Sequence, residues 1–136
     1  MGRWVRDQLL QHAARWDFAV IAYCVMPDHL HVLAEGTSEQ AALERFVTRF
    51  KQATGYEWKR RNHSSLWQEG YFDRVLRDED PEAGIVNYIV SNPVRSGIVD
   101  DPADYPLSGS SRYTYEQLAD VIADWSPFDE CRRRRD

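Results

Sequence analysis

Val5, Leu9, Ala13 and Trp16 recur at the spacing of one helix face, which predicts a helix over about residues 2–16. Phe18 to Val25 is rich in β-branched and aromatic residues and reads as a strand. Met26-Pro27-Asp28 breaks it, and His29 to Ala34 alternates as a returning strand, so the two form a hairpin. Thr37-Ser38-Glu39-Gln40 has the form of a capping box, and Leu43, Phe46, Val47, Phe50 and Thr54 follow at helical spacing. A helix is expected over about residues 38–54, extending towards 61 if it passes Gly55. Residues 61–70 read as a loop and Tyr71 to Leu76 as a strand. Asp80-Pro81 is a cap followed by a first-turn proline, so a helix should start at Pro81 and end before Pro93. Its apolar side is Ile85, Val86, Ile89 and Val90, with Tyr88 and Asn92 one turn apart and off that side. Thr114 to Trp125 has the pattern of a last amphipathic helix before an Arg-rich tail.

Composition narrows the class. The chain has 136 residues, 43% of them hydrophobic and 29% charged, the scale of one domain (1–136) with a flexible tail from about residue 126. It shows no long apolar run and no signal-peptide pattern, so a cytoplasmic protein without a membrane partner is expected. Cys24 and Cys131 have no framework spacing and read as reduced thiols. The net charge of −5 disfavours nucleic acid as a partner, but its distribution remains compatible with one. Arg45 to Arg61 holds six bases against Glu57 alone, and Glu116 to Glu130 holds five acids and no base. Arg45, Arg49, Gln52, Lys59 and Arg60 lie opposite the apolar seam of their helix. Such a stripe suits a phosphate backbone, and equally a solvated helix face.

The candidate chemistry sits in His29-Leu30-His31. On a strand the two imidazoles share one face while Leu30 and Val32 take the other, which supplies two fixed metal ligands. A third ligand must come from elsewhere, and the alternative is that both histidines occupy the wet face of a hairpin. By ligand softness, two imidazoles suit Mn²⁺ better than Mg²⁺ and Zn²⁺ better still. His12 and His63 read as packing or surface residues. Trp4, Trp16, Trp58, Trp67 and Trp125 read as core or hinge aromatics, one or two of which are candidates for stacking on bases.

Several stretches together resemble a known family. Ala22 to Leu33, Trp67-Gln68 with Phe72-Asp73-Arg74, Tyr88-Ile89 with Asn92-Pro93-Val94, and Tyr105-Pro106-Leu107-Ser108 match, in order, the signatures of REP-associated tyrosine transposases. These are a branch of the insertion-sequence-200-like, single-tyrosine HUH transposases. The resemblance runs from about residue 5 to 113. It implies an α+β fold with a ferredoxin-like antiparallel sheet and helices packed on it. Family members open with a strand that this chain lacks, since its pattern begins within the first helix.

The same resemblance implies a mechanism and its residues. His29, His31 and Asn92 would hold a divalent metal, Mg²⁺ or Mn²⁺. Tyr88 would attack single-stranded or hairpin DNA to form a 5′-phosphotyrosine, and a second 3′-end would reverse the step as strand transfer. Arg45, Arg49, Lys59, Arg60 and Arg95 are the expected DNA contacts, in a monomer or homodimer. Three functions follow from the sequence: an active strand transferase, a truncated or domesticated relative that binds hairpins without cutting, and a metal-binding domain with no DNA role. The complete His/His/Tyr/Asn set favours the first over the third, while the absent opening strand favours the second over the first.

Overall fold

The computed structural model describes residues 2–27, 29–67, 72–75 and 82–123. Its elements are α1 (Gly2–Arg15), β1 (Phe18–Val25), β2 (His29–Gly36), α2 (Leu43–Asn62), β3 (Phe72–Val75), α3 (Glu82–Arg95), a short 3₁₀ turn (Pro102–Asp104), β4 (Ser108–Gly109) and α4 (Tyr115–Ala123). The result is an α+β fold in which helices cover both faces of one four-stranded sheet of order β3-β2-β1-β4.

The β1–β2 hairpin is the centre of that sheet, paired antiparallel from Phe18 opposite Gly36 to Val25 opposite Leu30. A bulge at Ile21 resets the alternation in β1. Phe18 and Val20 before it, and Tyr23 and Val25 after it, therefore all pack on the α1/α2 side. Ile21, Ala22 and Cys24 face α3 and α4. Backbone groups beside the bulge are served from the C-terminal segment: Val20 N–H donates to Ser111 Oγ at 2.8 Å, and its carbonyl accepts from Ser111 N–H at 2.8 Å.

β3 pairs with β2 in parallel, His29 opposite Phe72 through Val32 opposite Val75, a departure from the all-antiparallel sheet expected. The physical reason lies in the connection. β2, α2 and β3 form a βαβ crossover, which delivers its second strand parallel to the first. In a ferredoxin-like order an antiparallel strand separates two such strands. Among the described residues none does, and the sheet closes directly.

Two helix ends differ from the pattern-based expectation, the start of α2 and the end of α3. The predicted capping box at Thr37 does not form, and α2 starts at Leu43 behind Ala42, which makes no side-chain cap. Residues 37 and 38 are instead held by Asp17, whose carbonyl accepts from Thr37 N–H at 2.7 Å and whose carboxylate accepts from Ser38 Oγ at 2.9 Å. The helix then passes Gly55 and runs to Asn62, closed by His63 in the left-handed region at φ 57°. At the other end of the site-bearing region, α3 continues through Pro93 to Arg95. A C-terminal cap outweighs the proline there. Gly97, at φ 75°, donates its N–H to Val94 O at 3.0 Å, and Ile98 donates to Pro93 O at 2.9 Å, the paired bonds of a Schellman motif. Pro93 in the last turn forfeits one helical hydrogen bond, and the cap supplies two. Pro81, the predicted start, Trp125 and the expected tail lie outside the described residues.

A Thr-x-x-Gln box does close at α4, where Gln117 N–H donates to Thr114 Oγ1 at 3.2 Å and Thr114 N–H donates to Gln117 Oε1 at 2.8 Å. Thr114→Ala should therefore lower unfolding stability by about 1 kcal/mol in urea titrations. Thr37→Ala, the same motif without the bonds, should change it by less than about 0.5 kcal/mol. Equal losses for the two would contradict this assignment of caps.

Candidate active site on the α3 face of the sheet

Alternation in β2 sends Leu30 and Val32 into the α1/α2 core and turns His29 and His31 towards α3. The two rings meet edge to face with centroids 4.5 Å apart, and His31 is buried at 3% exposure while His29 is half-buried. α3 lies over them because Ile85, Val86, Ile89 and Val90 are its buried stripe against the sheet. Tyr88 packs at the edge of that core, its ring edge to face with His31 at 5.6 Å. One turn on, Asn92 is buried, and its Nδ2 lies 3.2 Å from His29 Nε2. The four residues named from the sequence thus converge in one place, from a strand and a helix 63 positions apart.

Hydrogen bonding defines the atoms available there. With the Asn92 amide donating, His29 Nε2 is the unprotonated nitrogen and presents its lone pair to the site. The Asn92 Oδ1 accepts from Ser96 Oγ at 3.4 Å. Because a hydroxyl both donates and accepts, the amide can turn over and keep a partner at Ser96 while bringing Oδ1 to His29. That places a carbonyl oxygen and an imidazole nitrogen about 3 Å apart, the separation of adjacent ligands round an octahedral divalent ion. The donor set fits such an ion. Among the described residues no group of three or more His, Cys, Asp or Glu side chains offers another arrangement. Cys24 stands opposite His31 in the ladder, but burial pushes its thiol up to about 12, only partly offset by the Arg95 cation, so it packs as a neutral core residue.

Arg95 belongs to this site in a way the sequence reading did not anticipate. Its guanidinium lies 4.3 Å from the centroid of the Tyr88 ring and donates from Nη2 to the Tyr88 carbonyl. The signal was the seven-residue spacing, which returns to the same helix face. It was obscured by the expectation that the helix stops at Pro93. Tyr105, another candidate hydroxyl, donates instead to the Val25 carbonyl at the end of β1, and burial raises its pKa.

The other predicted DNA contacts are elsewhere. Phe46, Phe50 and Thr54 turn the seam of α2 onto the opposite face of the sheet, so Arg45, Arg49, Lys59 and Arg60 are exposed on the far side of a helix about 10 Å across. Arg60 donates to Glu57 at 2.9 Å, and that bond is the main cause holding the Glu57 carboxyl below its usual range. His12 bonds the Gln8 carbonyl through Nδ1 and meets Phe50 edge to face, a packing role, and His63 is the exposed cap of α2. No helix among the described residues is long and apolar enough to cross a membrane.

Comparison with known proteins places this geometry in a family. The sequence model described as Transposase IS200 like matches residues 3–92, a span that ends at Asn92 and contains all four convergent residues. A candidate REP-associated tyrosine transposase of Haemophilus influenzae is 28% identical over 118 residues, covering 79% of this chain and 67% of the relative. A REP-associated tyrosine transposase of Escherichia coli K12 is 28% identical over 128 residues, covering 88% of this chain and 72% of the relative. No solved structure matches the chain significantly. The chain belongs to the IS200-like transposase family, a family of DNA-processing enzymes, and two of the relatives it resembles carry the name REP-associated tyrosine transposase.

Proposed function

We propose that the protein is a metal-dependent enzyme that nicks single-stranded DNA at hairpin-forming repeats and transfers the strand through a 5′-phosphotyrosine. The observation that carries this reading is the convergence of His29, His31, Asn92 and Tyr88 in one place. His29 Nε2, the His31 imidazole and the turned-over Asn92 oxygen would hold Mg²⁺ or Mn²⁺, and such an ion supplies Lewis-acid polarisation of a phosphate oxygen.

The protein's own residues account for the remaining steps. Tyr88 lies against His31 at the edge of the core, with its ring clamped by Arg95, so the nucleophile is held beside the imidazole pair at little further entropic cost. Its Oη forms a bond to phosphorus as the bond to the 3′-oxygen breaks; the phenol proton leaves to solvent and the 3′-oxygen takes one up. The linkage to Tyr88 retains a phosphodiester, so attack by another 3′-hydroxyl reforms DNA without a nucleotide cofactor. Arg95, whose guanidinium lies over the Tyr88 ring, is placed to meet a phosphate that approaches the tyrosine. Tyr105, engaged with the Val25 carbonyl, is the poorer nucleophile.

The direct parallel contact of β2 with β3 favours a second reading, a relative that binds hairpins without cutting them, because among the described residues the strand bearing the histidines has a parallel and not an antiparallel neighbour on that side. Two measurements separate these readings. Calorimetric titration with Mn²⁺ should show one site in the wild type, a loss of binding in His29→Ala/His31→Ala, and about tenfold or greater weakening in Asn92→Ala. Binding unchanged in all variants would place the ion elsewhere. Tyr88→Phe should keep hairpin affinity and the Mn²⁺ site while losing cleavage altogether, since one oxygen is removed and the ring retained. Wild type that binds the hairpin and the ion yet never cleaves would establish the second reading.

A further inference from the structure

The face of the molecule away from Tyr88 carries a groove that the catalytic reading does not use. It runs between the end of α1 and the middle of α2, has a volume of about 550 Å³, and is lined by Arg15, Trp16, Arg49, Gln52 and Tyr56 among others. Through Arg49 and Gln52 it continues into a second depression of about 440 Å³ that reaches Arg45. Arg45, Arg49, Gln52 and Tyr56 are spaced 4, 3 and 4 residues apart, one stripe of α2 extending about 16 Å.

Two features distinguish this stripe from an ordinary solvated face. Arg6, Arg60, Arg61 and Arg112 each have an acidic partner, whereas among the described residues Arg15, Arg45 and Arg49 form no ion pair. Glu44 is an acid lining the continuous groove, so the cations are in excess. Tyr56 is 69% exposed, the most exposed large hydrophobic side chain described, and its ring serves no core. Beside it the Trp16 ring forms part of the wall, with the Arg15 guanidinium 5.8 Å from its centroid.

Resting on the DNA-processing reading above, we infer that this groove binds an unpaired stretch of DNA, with a base stacked on Tyr56 and the backbone carried by Arg15, Arg49 and Arg45. Cations without acidic partners supply a sequence-independent attraction for phosphates, and an exposed aromatic ring gives any base a surface to stack on. Gln52, between them, offers both a donor and an acceptor to a base edge. Paired bases cannot use the ring, and a duplex is too broad to enter a furrow between two packed helices, so the groove selects single strand over double. Because the sheet and α2 separate the groove from Tyr88, the segment held here is a different part of the substrate from the one at the imidazole pair.

Fluorescence anisotropy with labelled oligothymidylate, which forms no hairpin, tests this on the full chain. Wild type should bind it more tightly than a duplex of equal length. Tyr56→Ala should weaken binding about tenfold, the effect of losing one base–aromatic stack, while Tyr56→Phe restores it. Arg15→Gln/Arg49→Gln should flatten the dependence of log affinity on log salt by about 0.7 for each phosphate contact removed. Far-UV circular dichroism identical to wild type excludes misfolding for these exposed positions. Oligothymidylate binding that is unaltered in both variants would overturn the assignment. So would a wild type that binds hairpins but no oligothymidylate, which leaves the catalytic reading standing; binding of neither DNA would overturn both.

Discussion

Everything at the candidate site depends on the period-two alternation of β2. A strand cannot place His29 and His31 on one side without placing Leu30 and Val32 on the other, and burial of those two under α1 and α2 locks the register. A slip of one residue would drive both imidazoles into the apolar α1/α2 core and turn Leu30 and Val32 towards α3. The hydrophobic effect acting on one face of the strand thus fixes the chemistry on the other. The bulge at Ile21 performs the same service for β1, keeping Tyr23 and Val25 on the packed side and leaving Cys24 beside His31.

α3 completes the site because its apolar stripe and its polar pair are offset on one helix. Ile85, Val86, Ile89 and Val90 press it onto the sheet, and that docking carries Tyr88 and Asn92 over the histidines. Continuation through Pro93 matters here. It keeps Asn92 within the helix and brings Arg95 back over Tyr88, which a helix ending at Asn92 could not do. The Schellman closure at Gly97 is therefore a local backbone feature with a consequence for the site.

The legible parts of the fold were those set by local pattern. The hairpin, the α2 seam and the α3 stripe follow from periodicity, and the pairing of Tyr88 with Asn92 follows from their spacing. What periodicity does not carry is competition for hydrogen bonds. Thr37 and Thr114 begin the same Thr-x-x-Gln motif, yet Asp17, distant in sequence, engages residues 37 and 38 and moves the start of α2 to Leu43. Pro93 read by itself ends a helix, and only the cap that follows it carries α3 on to Arg95. The parallel neighbour of β2 was equally hidden, because strand order is set by which edge remains open and not by the composition of Phe72–Val75. The basic stripe of α2 was visible in sequence, but its separation from the histidines appears only once the sheet stands between them.

The central claim is that Tyr88, held against the imidazole pair by α3, is the residue that joins DNA. Peptide mapping by mass spectrometry of the protein after incubation with a single-stranded hairpin and Mn²⁺ tests it most directly. The account predicts one modified peptide, that containing Tyr88, carrying a nucleotide through a 5′-phosphate ester. A nucleotide on a peptide containing Tyr71 or Tyr105, with the Tyr88 peptide unmodified, would contradict it.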